Sequence, residues 1–292
     1  MTNGCLTLAE AAEKLGVHYM TVYRYVRTGR LPARQVAGEW RVEPADLADL
    51  RRPGAPAPAP DVPGRTGLKR WQAQFEGRLI AGDEAGAWGL VEAALAAGMG
   101  PDESLLDLVA PAMRSVGAHW QSGKWSVADE HRATAVSSRL VARLGSRFAR
   151  RGVKRGTVVL AAPGGELHGL PVAIGANLLR WKGFNVVELG ADTPPDALAE
   201  AVVNVSGADG PGAGGRPGPL AVGIVSTVSG ASRSVQRSIA EVRRSSPDVP
   251  VLLGGAAIPG AAQARRLGAD VYTGKRGDEL VRAVETIADE RF

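Results

Sequence analysis

The chain has 292 residues, enough for two domains or three small ones. Its single cysteine, Cys5, excludes an internal disulfide framework and a cysteine-based zinc cluster. No apolar run approaches the ~18 residues of a transmembrane helix, and the N-terminus lacks the basic start and apolar core of a signal peptide, so a cytoplasmic protein with no membrane partner is expected. The formal net charge of +5 favours a polyanionic partner only weakly until the charge is located.

In chain order, residues 1–51 read as helix, tight turn, helix, hairpin, helix. Thr7 caps a first helix that buries Leu8, Ala11, Ala12 and Leu15, and Gly16 with Val17 makes the turn. The second helix spans His18 to Thr28, with Val22, Tyr25 and Val26 facing inward and Thr21, Tyr23, Arg24 and Arg27 outward. A hairpin follows, with Gly38 at its tip and Arg34 and Arg41 on its arms. A Pro/Ala-rich linker, 52–67, has the composition of an extended spacer.

From 68 to 152 the pattern is helical. Trp71, Phe75 and Leu79 recur at i, i+4 and i+8; two further segments open on acidic residues; Ser126 and Asp129 make a capping box for a helix carrying Val136, Leu140, Leu144 and Phe148. Four helices on short connections predict a bundle. From 153 to 292 strands and helices alternate: TVVLAAP, NVVELG, LAVGIVS, VPVLLGG and DVYTG, with helices starting near 170, 194, 231, 261 and 277. Continuous apolar strands with helical crossovers predict a parallel sheet covered on both faces, in a doubly wound, flavodoxin-like (Rossmann-like) α/β domain. Such a domain binds ligands beyond the C-terminal strand ends, at the switch point. Residues 206–218, Gly/Pro-rich, read as an inserted flexible loop.

Only four histidines occur, and His168 stands just past the first of these strands, two residues after Glu166. A neutral imidazole is a good transition-metal ligand, and an adjacent carboxylate fixes its tautomer and raises its basicity. No Ser-His-Asp order, metal-spaced Cys/His set or P-loop occurs, and GGELHG lacks the third glycine of a dinucleotide fingerprint, so no enzyme is expected.

Three resemblances follow from these residues. The N-terminal unit resembles the winged helix-turn-helix of MerR and excisionase-type regulators, which implies binding of an operator in double-stranded DNA through Thr21, Tyr23, Arg24, Arg27, Arg34 and Arg41. Glu166-x-His168, then Ser226-Thr227-Val228, then Gly254-Gly255 resemble the Asp-x-His-x-x-Gly, Ser-x-Leu and Gly-Gly signature of cobalamin-binding domains, once the inserted loop is discounted. That resemblance implies His168, with Gly169 beside it, as the lower cobalt ligand, Ser226 and Val228 near the buried cofactor tail, and Gly254 and Gly255 clearing its path. Trp120, nine residues, then Glu130-His131 resemble the W-x9-EH motif of CarH/LitR-type cobalamin photoreceptors, in which a helical bundle caps adenosylcobalamin. Trp120 and Glu130 would meet the adenosyl group.

Three departures stand out. Glu166 replaces the commoner Asp, Pro171 replaces the motif glycine, and Gln121 occupies the position where those photoreceptors carry the upper histidine. His131 is the substitute upper ligand after light that the motif offers. The resemblance implies a transcriptional regulator, a repressor, that binds adenosylcobalamin and responds to light by cobalt–carbon cleavage and a change of oligomer state as a dimer or tetramer. The alternatives are a light-independent sensor of cobalamin or another tetrapyrrole, and a corrinoid methyl-carrier protein.

Overall fold

A computed structural model describes residues 5–16, 19–27, 31–36, 39–51, 65–148, 152–208 and 218–291. Val17, His18, Thr28, Gly38, residues 52–64 of the predicted 52–67 linker and most of the inserted loop lie outside the described residues, and the linker's last three residues, 65–67, are helical. The chain divides into two compact units, one of residues 1–74 and 85–100, the other of 75–84 and 101–292. No described helix is long and apolar enough to cross a membrane.

In the first unit, β1 (Leu6–Thr7) leads into α1 (Leu8–Leu15), followed by α2 (Tyr19–Arg27), β2 (Arg34–Val36), β3 (Glu39–Val42) and α3 (Pro44–Arg51). Thr7 caps α1 in a full capping box with Glu10, and Gly16 closes it in the left-handed conformation. Leu8, Ala11, Ala12, Val22, Val26, Leu31, Val42 and Leu47 form one buried cluster. Two features depart from the sequence reading. β1, unpredicted because it is two residues long, pairs antiparallel with β3 and makes a three-stranded sheet of order β1-β3-β2. Tyr23, expected on the outer face, is half-buried against the cluster, its ring 6.5 Å from that of Tyr19. The reason is spacing: Tyr19, Val22, Tyr23 and Val26 fall at i, i+3, i+4 and i+7 and so form one stripe. Thr21, Arg24 and Arg27 belong to α2. Arg34 and Arg41 are cross-strand partners on the hairpin, Arg34 3.3 Å from Glu43 and Arg41 2.9 Å from Glu39.

The helical stretch comprises α4 (Arg65–Ala81), α5 (Glu84–Ala96), α6 (Pro101–Glu103), a π-helical segment (Ser104–Val109), α7 (Ala110–Gln121) and α8 (Val127–Gly145). The predicted Ser126–Asp129 capping box is present, and Phe75, Leu79, Val136, Leu140, Leu144 and Phe148 are all buried. The third predicted helix contains the π-helical segment, which periodicity did not reveal. Each fully buried apolar side chain contributes about 1.5–3 kcal/mol.

The second unit is built on β4 (Thr157–Pro163), α9 (Leu170–Trp181), β5 (Asn185–Thr193), α10 (Pro195–Ala208), β6 (Ala221–Val225), α11 (Ser232–Ser245), β7 (Val251–Gly254), α12 (Ala261–Arg266), β8 (Val271–Tyr272) and α13 (Gly277–Arg291). All pairings are parallel, in the order β5-β4-β6-β7-β8, the flavodoxin-like arrangement the sequence predicts. β4, central and apolar throughout, is buried along its whole length. The order reverses between β4 and β6, so the loops that follow these two strands meet at the switch point. Asn177 of α9 donates to the Val141 carbonyl of α8 at 3.3 Å, joining helical stretch and sheet layer.

Candidate corrinoid and DNA sites

β5 runs three residues past its predicted end at Gly190, because register shifts in its pairing with β4 let it continue to Thr193. The extension matters. Asp192, at φ 50°, accepts the Gly165 N–H at 2.6 Å and donates its own N–H to the Glu166 carbonyl at 2.9 Å. Ser234 of α11 adds a hydroxyl donated to the Gly164 carbonyl at 2.6 Å. The turn between β4 and α9 is thus held from two sides.

On that turn Glu166 is fully buried, and five donors converge on its carboxylate. Oε2 accepts the Thr227 N–H (2.6 Å), the Thr227 hydroxyl (2.9 Å) and the Val228 N–H (2.9 Å). Oε1 accepts the His168 N–H (3.2 Å) and meets His168 Nδ1 at 2.5 Å. Burial alone would raise the pKa of this carboxyl. The Thr227 N–H, the His168 ring, the Thr227 hydroxyl and the Val228 N–H outweigh it and hold the group below the ordinary glutamate value. Glu166 is therefore an anion that only accepts hydrogen bonds, so Nδ1 of His168 carries the proton. In the neutral ring Nε2 then keeps its lone pair; it makes no hydrogen bond among the described residues and belongs to a side chain that is 52% exposed. This is the donor a transition-metal ion or a metallocofactor requires.

Ser226, just past β6, is buried, and its hydroxyl makes no hydrogen bond among the described residues. Its backbone is fixed by Gly254 and Ala257. Val228 is exposed, and its contribution to the cluster is its N–H. Gly254 and Gly255 have a structural reason of their own. A Cβ on Gly254 would stand 2.2 Å from Thr273 Oγ1, and one on Gly255, at φ 113°, would stand 2.1 Å from the Ser226 carbonyl oxygen. The space these glycines leave is filled by the protein itself, where β6, β7 and the end of β8 close on one another. Pro171 also finds its reason. It lies in the first turn of α9, which needs no N–H from it, and Gly169 is the N-cap, with ordinary room for a Cβ.

Trp120 is the next-to-last residue of α7 and is 44% exposed; Glu130 and His131 are the fourth and fifth residues of α8. Glu130 accepts the Thr134 hydroxyl at 2.7 Å and pairs with His131 Nδ1 at 2.9 Å, leaving the His131 side chain 75% exposed. None of these three is hydrogen-bonded to the Glu166–His168 cluster. The corner between α7 and α8 is organised by a residue the sequence reading passed over, Glu76 of α4. Its Oε1 meets His119 Nδ1 at 2.7 Å and accepts Trp125 Nε1–H at 3.1 Å, while Lys124 Nζ lies 3.3 Å from His119 Nε2. Burial raises the Glu76 pKa, but hydrogen bonds from Ser115, His119 and Trp125 prevail and lower it. Thr227 and Asp192 were likewise missed. Each acts across a long sequence separation, and only the Ser-Thr-Val match pointed near one of them.

Comparison with known proteins places two domain families along the chain. The helix-turn-helix domain family matches residues 5–53, and the B12 binding domain family matches residues 71–144. The chain is 28% identical over 214 residues to the HTH-type transcriptional repressor CarH of Myxococcus xanthus, a match covering 72% of this chain and 66% of the relative, just under two thirds of its length. The structure of the Methanosarcina barkeri monomethylamine corrinoid protein superposes with a TM-score of 0.60 at 17% identity, covering 75% of this chain and 100% of that one, a likeness of fold. The chain thus matches a helix-turn-helix domain family and, after it, a B12 binding domain family, and over 214 residues it is similar to the repressor CarH.

Proposed function

We propose that this protein is a DNA-binding transcriptional repressor that binds adenosylcobalamin and changes its oligomer state when light acts on the bound cofactor. The observation that carries the corrinoid reading is the fully buried Glu166 anion fixing the His168 tautomer with Nε2 free. In the proposal His168 would hold the cobalt, Ser226, whose hydroxyl has no partner among the described residues, would hydrogen-bond the cofactor's tail, and Trp120 and Glu130 would recognise the adenosyl group. When bound, the cofactor supplies a cobalt–carbon bond that light breaks. In the same proposal α2 would enter the DNA major groove with Arg24 and Arg27, and the β2–β3 hairpin would bring Arg34 and Arg41 to the backbone. Two or more such units engaging one operator raise avidity, so a change of oligomer state changes occupancy.

A cytoplasmic, non-enzymatic role accords with this reading. One observation favours a second reading, a light-independent cobalamin sensor. Gln121 stands where the photoreceptor motif has histidine, and His119 is engaged by Glu76. His131 is the substitute upper ligand in the first reading. A methyl-carrier role is a third reading, which the helix-turn-helix domain argues against.

The test is to incubate the protein with adenosylcobalamin in the dark and record absorbance, size-exclusion elution and affinity for duplex DNA before and after green light. A cobalamin spectrum that changes together with elution and DNA affinity is expected. Bound cobalamin with no change in size selects the light-independent sensor, and no bound cobalamin refutes the corrinoid reading.

A narrower prediction concerns the upper face. Trp120→Ala is expected to reduce the preference for adenosylcobalamin over hydroxocobalamin by roughly tenfold, the loss of about one large aromatic contact. Calorimetric titration with both cobalamins measures it. An unchanged ratio removes Trp120 from adenosyl recognition.

A further inference from the structure

We infer, resting on the corrinoid reading of this site, that Leu167 and Val228 form an apolar seat for the underside of the cofactor's ring, and that Leu167 sets the affinity for the ring itself and not for its tail. The chain offers a metal few ligands here. Glu166 is spent on its five hydrogen-bond donors, which leaves Nε2 of His168 as the donor of this turn. No group of three or more His, Cys, Asp or Glu side chains able to hold a metal ion occurs among the described residues. An ion bound at His168 therefore brings most of its coordination shell with it. A macrocycle that holds the ion in its plane does this, and leaves an axial position for one imidazole.

A ring over Nε2 covers whatever surrounds that nitrogen. Leu167 is 76% exposed, although its neighbour Glu166 is fully buried. Its turn is held fast. Asp192 binds the Gly165 N–H and the Glu166 carbonyl, Ser234 binds the Gly164 carbonyl, and the His168 N–H is bonded to Glu166 Oε1. Val228 is 43% exposed, and its N–H is bonded to Oε2 of the same carboxylate. Single exposed apolar side chains are ordinary on a protein surface. Here one buried carboxylate fixes two of them beside a metal-seeking nitrogen. Apolar surface around one well-placed polar group is the pattern of a small-molecule site.

The seat has two effects. Leu167 and Val228 lose their water when the ring arrives, which adds affinity. They also keep water from the metal–nitrogen bond, as an apolar shell does around a metal site. A polar side chain at 167 would retain its water and give neither. Ser226, buried behind this turn, is the tail contact in the same reading, so ring and tail can be separated by experiment.

Absorbance titration of the full chain with cobalamin and with cobinamide, which has the same ring but no nucleotide tail, makes that separation. Leu167→Asn is expected to weaken both by the same factor, about ten- to a hundredfold. Val228→Thr, which keeps the shape and the N–H, should weaken both by about threefold. Ser226→Ala should weaken cobalamin and leave cobinamide unchanged. Leu167→Met, apolar and of similar volume, should bind within about threefold of wild type. Cobalamin bound to Leu167→Asn should keep a histidine-ligated spectrum, and the variant should melt with wild type because the side chain is exposed. An unchanged cobalamin dissociation constant in Leu167→Asn overturns the inference. So does a loss seen with cobalamin but not with cobinamide, which would put Leu167 against the tail. If wild type binds neither compound, the corrinoid reading fails and the seat with it; if wild type and Leu167→Asn bind equally well, only the seat fails.

Discussion

His168→Ala is expected to weaken cobalamin binding by at least about a hundredfold, and any cobalamin still bound should keep its own base on the cobalt. The size of the effect follows from the arrangement. Nε2 is the one metal-seeking donor that the β4–α9 turn presents, and its lone pair is available because Glu166 holds the proton on Nδ1. The fold should be little affected, since the imidazole is half-exposed and its removal takes one of five donors from Glu166. Absorbance titration gives both readouts, the dissociation constant and the position of the cobalamin bands. Wild-type affinity with a histidine-ligated spectrum would show that another residue takes the lower position. His168→Gln, which keeps a polar side chain, should not restore binding if metal ligation is the role.

Glu166→Gln is the second change with a large effect, and it acts on stability as well as on the site. The amide fits the space, but one of its two heads now donates. Whichever way it turns, it confronts N–H donors at Thr227 and Val228 or at His168. A buried donor left facing donors costs about 2–4 kcal/mol, which corresponds to a fall in Tm of about 5–12 °C for a chain of this size. The pH dependence separates this cause from simple loss of packing. The folded pKa of Glu166 lies below the ordinary value of 4.5, so ionisation contributes stability that is present above 4.5 and is lost as pH falls through the lower, folded value. The stability gap between wild type and Glu166→Gln should therefore be widest near neutrality and narrow as the solution is acidified below 4.5. A gap that stays constant down that range would mean that the carboxylate's charge contributes nothing. Cobalamin affinity should fall in parallel by about ten- to a hundredfold, through the loss of the fixed histidine tautomer.

The two variants share a geometry built from segments far apart in the chain. Glu166 and Thr227 are separated by 61 residues, and they meet because β4 and β6 are neighbours in the sheet. The parallel sheet itself was legible: β4 reads as a continuous apolar run, and every helix near 170, 194, 231, 261 and 277 begins within a residue or so of its expected position. The motif spacing also led to His168 and Glu166. It did not lead to Asp192, because β5 continues past Gly190 only through irregular pairing with β4, which no pattern within NVVELG announces. Nor did it show that Gly254 and Gly255 are also required by their close protein neighbours Thr273, Gly274 and Ser226.

In the helical stretch the same division holds. The Ser126–Asp129 box and the Phe75–Leu79 spacing are local and were read directly, whereas Glu76, one residue past Phe75, shows its role only where α4, α7 and the turn carrying Trp125 converge. Tyr23 illustrates the limit of assigning faces on a nine-residue helix, where an aromatic ring reaches back to the core from the edge of the polar side.

By itself, the sequence determined the order of elements, the capped helix-turn-helix, the doubly wound sheet and the histidine at its switch point. Each of these rests on short-range periodicity, caps and strand-end position, which are properties of neighbouring residues. Only the tertiary structure decided which donors keep Glu166 ionised and what fills the space beside the paired glycines. Those outcomes depend on strand order and register, which the chain's local interactions leave open and the packing of the whole sheet fixes.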